Sequence, residues 1–241
     1  MGSEDLTVLS VFWGNKYDKG YVYALKEMVE KNLTIPHDFK CITTEPLPGI
    51  QTVLPFVPYD GWWQKIGLFA PTIATGPSLY FDLDVLITGN IDYLAEYTDT
   101  ETLAAPANWA QSGHGGIQSS VMAWRGRWTI PFDMFRYKWK DRKELASGHT
   151  QFGNKVYWGD QEFLWDILGD NWKRIEGVGS YKYHVRPNGE VPDWMNVCVF
   201  HGKPDPHEVN DPCLSAYTTT LRNHIKSNMV NGSRTGLSGT G

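Results

Sequence analysis

Two aspartates inside the most strand-like segment of the chain are the sharpest chemical feature of the sequence. Asp82 and Asp84 flank Leu83 in the segment 78–88, SLYFDLDVLIT, which is otherwise largely apolar. The pattern predicts one buried strand, in which residues i and i+2 project to the same side, so the two carboxylates are expected to converge. Because buried carboxylates need a counter-charge, the pair indicates a site for a basic side chain or a divalent cation that also bridges a substrate diphosphate.

A purely structural interpretation of these aspartates stays open. In it, Asp84 ends the strand in a turn and Asp82 pairs with an arginine or a lysine. The sequence around the pair does not decide between a structural and a metal-binding role.

A second candidate group follows an apolar segment near the carboxyl end of the chain. Residues 197–200 read VCVF and lead into His201, Gly202 and Lys203. An imidazole added to two carboxylates gives a mixed nitrogen and oxygen ligand set, which suits Mn²⁺ better than Mg²⁺ or Ca²⁺. Lys203 is a point charge suited to phosphate oxygens. A strand-end histidine and a solvated lysine are the structural alternative, and the aspartates favour the functional interpretation.

The elements that must position these groups alternate between strands and helices. Periodicity predicts strands at 7–13, 39–43, 51–56, 78–88, 118–124, 181–185 and 196–200, and helices at 19–31, 62–69, within 131–146 and at 160–168. Such alternation predicts an α/β domain with a largely parallel sheet, whose ligands bind at the carboxyl ends of strands. We expect one domain over 1–226 and a flexible tail over 227–241, which is rich in Gly, Ser and Thr.

Composition and charge exclude several classes of protein. The 22 basic and 27 acidic residues give 22 − 27 = −5, which disfavours a nucleic-acid partner. Apolar segments fall short of the roughly 20 residues that a transmembrane helix needs. The first residues carry neither a basic start nor an apolar stretch, which predicts a cytoplasmic location. Aromatic residues make up 14% of the chain, which favours surfaces that stack on ligands.

Several short motifs occur in a recognisable order along the chain. An aromatic-rich loop follows the first strand, Lys65 precedes an apolar strand that ends in Asp-x-Asp at 82–84, and Gly-Asp-Gln at 159–161 precedes His-Gly-Lys-Pro at 201–204. Together they resemble the nucleotide-sugar glycosyltransferases of the GT-A fold, most closely glycosyltransferase family 8, the group of glycogenin and the bacterial lipopolysaccharide galactosyltransferases. The resemblance spans about residues 8–207. It implies a single GT-A, Rossmann-like domain with a mixed, mostly parallel central sheet flanked by helices.

The resemblance also implies roles around a donor diphosphate. Asp82, Asp84 and His201 are the expected ligands of Mn²⁺, with Mg²⁺ as the alternative, and Lys203 is expected to neutralise the leaving diphosphate. The family motif His-x-x-Gly-x-x-Lys-Pro is shortened here to His-Gly-Lys-Pro, which supports the role of His201 more than that of Lys203. The predicted donor-binding residues are Phe12, Trp13, Gly14, Tyr17, Lys65, Asp82, Leu83, Gly202 and Lys203.

The remaining roles implied by the resemblance concern the sugar and the base. Asp160 and Gln161, with Lys203, are the predicted catalytic residues, and the first two are expected to hydrogen-bond sugar hydroxyls; a helix cap at Asp160 is the alternative. In the first loop, Phe12, Trp13, Gly14 and Tyr17 are expected to bind the uracil base, with an ordinary core role as the alternative for any of the aromatic residues. The segment 118–122, QSSVM, stands where the family has Asn-Ser-Gly, so its donor contacts are undetermined.

The function implied is transfer of a hexose from a UDP-sugar to an acceptor hydroxyl, with retention at the anomeric carbon. Glucose is the favoured sugar, hence UDP-glucose as donor, and galactose comes next; the acceptor is a saccharide, a lipid or a protein. A metal-dependent nucleotidyltransferase or phosphoesterase is one alternative, because such enzymes also place paired carboxylates at strand ends. A non-catalytic sugar-binding module is the other, because of the abundance of Trp and Tyr.

Overall fold

The computed structural model describes residues 5–55, 59, 61–73, 75–109, 115–126 and 128–234, with side chains described as far as Met229. The strands are, in chain order, β1 (Leu6–Val11), β2 (His37–Ile42), β3 (Gln51–Val53), β4 (Pro77–Phe81), β5 (Val85–Ile87), β6 (Ala104–Ala105), β7 (Val121–Arg125), β8 (Lys143–Glu144), β9 (Thr150–Phe152), β10 (Lys155–Tyr157), β11 (Lys173–Arg174), β12 (Val178–Ser180) and β13 (Val197–Val199).

The helices include both regular and tighter or wider forms. The α-helices are α1 (Gly20–Asn32), α2 (Ile130–Trp139), α3 (Asp160–Leu168) and α4 (Ser215–Arg234). Short 3-10 helices cover Gly61–Phe69, Asp92–Thr98, Pro206–Glu208 and Pro212–Leu214, and a π-helix covers Tyr181–Val185. None of the described helices is both long enough and apolar enough to span a bilayer.

The chain divides into two compact units, which are described separately. The first consists of Met1–Trp13, Ile35–Phe81 and Tyr93–Glu176, and the second of Gly14–Thr34, Asp82–Asp92 and Gly177–Gly241. A single domain over 1–226 stays a prediction. Helix α4 continues past Ser227, where the sequence predicts the tail to begin, and ends at Arg234.

The described strands of the first unit form a mixed, mostly parallel seven-stranded sheet in the order β11-β6-β7-β4-β1-β2-β3. Strands β4, β1, β2 and β3 run parallel to one another, as do β11 and β6, whereas β7 is antiparallel to both of its neighbours. The alternation of strands and helices along the first half of the chain accounts for the parallel part. The predicted sheet type is therefore confirmed.

An aromatic cluster fills the core of the first unit. The ring of Phe135 on α2 lies 4.9 Å from that of Trp63, 5.4 Å from that of Phe152 and 5.1 Å from that of Phe163, centroid to centroid. The contacts with Phe152 and Phe163 are edge-to-face, and aromatic contacts of this kind add to the stabilisation from apolar burial. The cluster joins α2, the 3-10 helix at 61–69 and α3, and so fixes the two helical segments that carry Lys65 and Asp160.

The segment 78–88 differs from its prediction as a single strand. Strand β4 ends at Phe81, residues 82–84 form a turn, and β5 begins at Val85. The reason is that β4 pairs in the seven-stranded sheet whereas β5 pairs with β13 in another sheet, so the chain changes sheets at the two aspartates. The prediction that Asp82 and Asp84 share one face of a strand is therefore wrong, and both lie in a connection.

The second unit joins the described strands β12, β13 and β5, in that order, to helices α1 and α4. Helix α1 buries its apolar stripe, which includes Val22, Leu25 and Val29. Strand β12 ends at Ser180, and the predicted strand at 181–185 is instead the π-helix. A π-helix is rare and often occurs at functional sites, so the residues beside it are candidates for a functional role.

Candidate functional site

The acidic turn and His201 lie at the same end of the sheet in the second unit. Strands β5 and β13 are antiparallel, with Val85 opposite Val199. The register continues past the strands, because the backbone N–H of Phe200 donates to the carbonyl of Asp84 at 3.3 Å. His201 is thus the neighbour of the residue paired with Asp84, although more than 100 residues separate the two segments in the sequence.

Asp84 is the more deeply held of the two aspartates. Its side chain is buried, and its Oδ2 accepts a hydrogen bond of 2.6 Å from the phenol of Tyr17. Burial, and then the charge of Asp84, raise the pKa of Tyr17, so the phenol stays neutral and donates. Tyr17, predicted to bind the base, therefore contacts one of the two predicted carboxylate ligands. Asp82 is half-buried, and Leu83 between them is buried.

His201 is held by the residues around the π-helix. Its Nε2 lies 2.8 Å from Oγ of Ser180, and its ring is stacked on that of Tyr183 with centroids 5.5 Å apart. Burial, and then the charge of Lys182, lower the pKa of His201 and keep the imidazole neutral over a wider pH range. A neutral imidazole is the form that binds metals.

The chemistry of these donors suits Mn²⁺, since two carboxylates and a neutral imidazole form a mixed oxygen and nitrogen set. Among the described residues, no group of three His, Cys, Asp or Glu side chains is arranged as a metal site. The sheet register therefore brings Asp82, Asp84 and His201 to one end of the sheet, and their joint binding of a metal stays a prediction.

Lys203 points its ammonium at two carboxylates of the following segment. Its Nζ lies 2.7 Å from Asp205 Oδ2 and 3.1 Å from Glu208 Oε1. Asp205 and Glu208 also form a capping box around the 3-10 helix at Pro206–Glu208. These contacts raise the pKa of Lys203, first through the hydrogen bond to Asp205 and then through that to Glu208. The predicted contact of Lys203 with a leaving diphosphate stays a prediction.

A second polar cluster lies in the first unit. Oδ2 of Asp160 accepts a hydrogen bond of 2.8 Å from Oγ of Ser119 and lies 3.4 Å from Nζ of Lys65. The amide of Ser119 also donates to Oε1 of Gln161 at 3.3 Å. Three predicted residues, Lys65, Asp160 and Gln161, therefore meet around Ser119, which the sequence left without a role. The sequence signal that could identify Ser119 is its position in the segment 118–122, where the family has Asn-Ser-Gly.

The alternative role of Asp160 as a helix cap is wrong. The cap of α3 is Gly159, and the helix begins with Asp160 itself, whose carboxylate faces Ser119 and Lys65. The indole of Trp62 lies against Gly159, since a Cβ at that glycine would be 3.3 Å from the ring. The exposed ring of Trp62 therefore borders Gly159, which directly precedes Asp160 of the polar cluster.

The other predicted base-binding residues differ in exposure. Phe12 is buried and belongs to the core, as its structural interpretation proposed, and Trp13 is half-buried and packs against the aromatic cluster. Gly14 has a φ of 63°, a left-handed conformation in which glycine is favoured. Gly202 has a φ of 68° and is exposed beside His201.

No protein-family model matches the chain, and no curated protein matches its sequence. Solved glycosyltransferase structures match its fold. An active-site mutant of LgtC has a TM-score of 0.61 at 15% identity, and the match covers 93% of this chain and 96% of LgtC. The apo form of GlyE from Streptococcus pneumoniae TIGR4 has a TM-score of 0.63 at 12% identity, with 96% of this chain and 64% of GlyE covered. The chain has the GT-A glycosyltransferase fold.

A further GT-A match is the bifunctional glycosyltransferase WbbM, in its apo form. Its TM-score is 0.57 at 10% identity, and the match covers 97% of this chain but 52% of WbbM. The matched lengths show that the GT-A fold accounts for nearly all of this chain and for part of larger proteins. The fold predicted from the sequence motifs is therefore confirmed.

Proposed function

We propose that the chain is a glycosyltransferase that moves a hexosyl group from a UDP-sugar to an acceptor hydroxyl. The observation that carries the proposal is the antiparallel pairing of β5 with β13, which puts His201 next to the partner of Asp84 within a GT-A fold. LgtC, which has this fold, is a galactosyltransferase with a structure in complex with donor and acceptor sugar analogues. Fold alone does not fix chemistry, and the side chains at the site decide which reaction it supports.

The acidic turn and His201 are the proposed metal ligands. Asp82, Asp84 and His201 would hold Mn²⁺, with Mg²⁺ as the alternative. When bound, such an ion supplies Lewis-acid stabilisation of the negative charge that develops on a departing diphosphate. The hydrogen bond from Tyr17 fixes the carboxylate of Asp84, and Ser180 fixes the imidazole of His201, in the way that supporting residues orient metal ligands.

The polar cluster of the first unit is proposed to orient the donor sugar. Asp160 and Gln161 would hydrogen-bond its hydroxyls, and the ammonium of Lys65 lies 3.4 Å from the buried carboxylate of Asp160 as its counter-charge. In the transfer step, the bond between the anomeric carbon and the phosphate oxygen breaks while the acceptor oxygen bonds to that carbon on the same face. Attack on the same face gives retention. The acceptor proton passes to the leaving phosphate oxygen, and UDP is released. Lys203 is proposed to contact that leaving group.

The nucleotide and the acceptor are proposed from the sequence motifs. Trp13, Gly14 and Tyr17 would bind the uracil base. Leu83 and Gly202 would line the donor diphosphate. Glucose is the proposed sugar and galactose the next. The acceptor hydroxyl belongs to a saccharide, a lipid or a protein.

Release of UDP from nucleotide sugars tests the proposal. The chain is incubated with UDP-glucose or UDP-galactose and Mn²⁺, and free UDP is measured with and without EDTA. We expect metal-dependent release that Asp84→Asn and His201→Gln each reduce by about 100-fold. The matched control is His224→Gln, which removes a half-buried histidine that pairs with Glu27 on a helix of the same unit.

Three results would contradict the proposal. The first is no UDP release from any donor together with no thermal shift by UDP and Mn²⁺. The second is pyrophosphate release from a nucleoside triphosphate without sugar transfer, which indicates a nucleotidyltransferase. The third is glycan binding that needs no divalent metal, which indicates a sugar-binding module.

A further inference from the structure

Lys182 lies beside the proposed diphosphate site, although the sequence motifs give it no role. It is the second residue of the π-helix that follows β12. A Cβ at Gly202 would lie 3.2 Å from Nζ of Lys182, so the ammonium sits directly against the backbone that follows His201. This contact places the cation next to the proposed metal ligand.

The two lysines near this site differ in their partners. Nζ of Lys203 contacts Asp205 and Glu208 at 2.7 and 3.1 Å. Within the described part of the chain, Lys182 has no ion-pair partner. Lys182 is half-buried, and its ammonium can pair with an anion from outside the chain.

The local structure holds Lys182 in place. Ser180 caps the π-helix, because its Oγ accepts a hydrogen bond of 3.4 Å from the amide of Tyr183. The ring of Tyr183 is stacked on that of His201, and Ser180 also contacts the imidazole. The backbone on both sides of Lys182 is thus tied to the segment that carries His201, and the lysine stem is positioned with it.

The charge at the proposed site requires a further cation. Two aspartates and a nucleoside diphosphate carry more negative charge than one divalent ion neutralises, and the excess grows when the diphosphate leaves. A preorganised positive group aimed at the leaving oxygen stabilises that charge. Lys203 is already paired with carboxylates, whereas Lys182 is not.

We propose that Lys182 binds the diphosphate of the donor nucleotide beside His201 and Gly202. The assignment rests on the proposed function, and it adds a binding residue outside the motifs that indicated that function. Lys182 then stabilises the diphosphate both in the bound donor and as it departs.

Calorimetric titration with UDP, uridine and inorganic pyrophosphate, each in the presence of Mn²⁺, tests the assignment. We expect Lys182→Ala to weaken binding of UDP and of pyrophosphate about tenfold or more, as loss of a charge-assisted hydrogen bond does, and to leave uridine binding unchanged. Lys182→Arg should restore most of the affinity. The matched control is Lys226→Ala, which removes an exposed charge from α4 and should change affinity less than about twofold.

A second variant separates packing from charge. Lys182→Met keeps a stem of nearly the same length without the charge and should lose affinity as Lys182→Ala does, with an unchanged melting temperature. Binding of UDP and pyrophosphate by both variants at the level of the unmodified chain would overturn the assignment while leaving the proposed function intact. Lysine-dependent binding of pyrophosphate without binding of UDP would instead support Lys182 and overturn the UDP-sugar function. Binding of neither ligand by the unmodified chain would overturn both.

Discussion

The phenol of Tyr17 donates a 2.6 Å hydrogen bond to the carboxylate of Asp84. The two residues belong to the same unit, and both are at least half-buried. Because burial and the neighbouring carboxylate raise the pKa of Tyr17, its proton stays on the phenol at all physiological pH values. Asp84 is thus oriented by a donor that does not compete for a metal, which is the usual arrangement around metal-binding carboxylates.

Tyr17→Phe is expected to weaken Mn²⁺-dependent UDP binding about tenfold, since Asp84 loses the group that orients it. Calorimetric titration with UDP and with uridine is the measurement, and uridine affinity should not change because the ring is kept. The matched control is Tyr181→Phe, which removes a Tyr–Asp hydrogen bond of the same length, to Asp211. If Tyr17→Phe binds UDP normally while Tyr17→Ala loses uridine, the residue serves the base instead.

The aspartate pair shows what the sequence can and cannot predict. The apolar run around Asp82 and Asp84 identifies the residues, and the motif order identifies the fold. The turn at 82–84 cannot be predicted from the sequence pattern, because that pattern reports only the local tendency to form a strand. The change of sheet between Phe81 and Val85 depends on long-range pairing with β7 and β13.

Ser119 and Lys203 differ in how well their contacts can be predicted from the sequence. Ser119 acquires its role from contacts with Asp160 and Gln161, more than 40 residues away, which periodicity does not report. The partners of Lys203 can be predicted from the sequence, because Asp205 followed by Glu208 is a capping-box pattern. The contact of Lys203 with a leaving diphosphate stays a prediction.

Lys65 and Asp160 should make strongly coupled contributions to the free energy of unfolding. Their side chains are 12% and 7% exposed, and removing either one leaves a poorly solvated charge. We expect Lys65→Met and Asp160→Asn each to lower the free energy of unfolding by about 3 kcal/mol. In the double variant Lys65→Met/Asp160→Asn the loss should be well below the sum, because the second substitution removes the charge that lost this ion pair. Urea denaturation measures all three, and strictly additive losses would contradict the coupling.

Gly20 allows α1 and α4 to approach closely. A Cβ at this position would lie 2.5 Å from the backbone nitrogen of Ile225, which no side-chain rotation relieves. Gly20→Ala is therefore expected to cost about 1–3 kcal/mol of unfolding free energy, as overpacking does. Gly67→Ala is the matched control, because nothing lies within 4 Å of its Cβ position, and it should change stability by less than about 1 kcal/mol. Equal stability of the two variants in urea denaturation would refute the close approach.

Stability should fall as the pH drops below the ordinary pKa of histidine, in part because of His184. Burial lowers the pKa of His184 from 6.5, and its Nδ1 accepts a hydrogen bond of 2.9 Å from the amide of Ser180. The unfolded chain therefore binds more protons than the folded chain just below pH 6.5, so the free energy of unfolding decreases there as the pH falls. His201, whose pKa is also lowered, acts in the same direction. His184→Asn keeps an acceptor near Nδ1 without a titrating group, and urea denaturation from about pH 7.5 to 5.5 should show a shallower decline. A decline as steep as that of the unmodified chain would exclude His184 as its source.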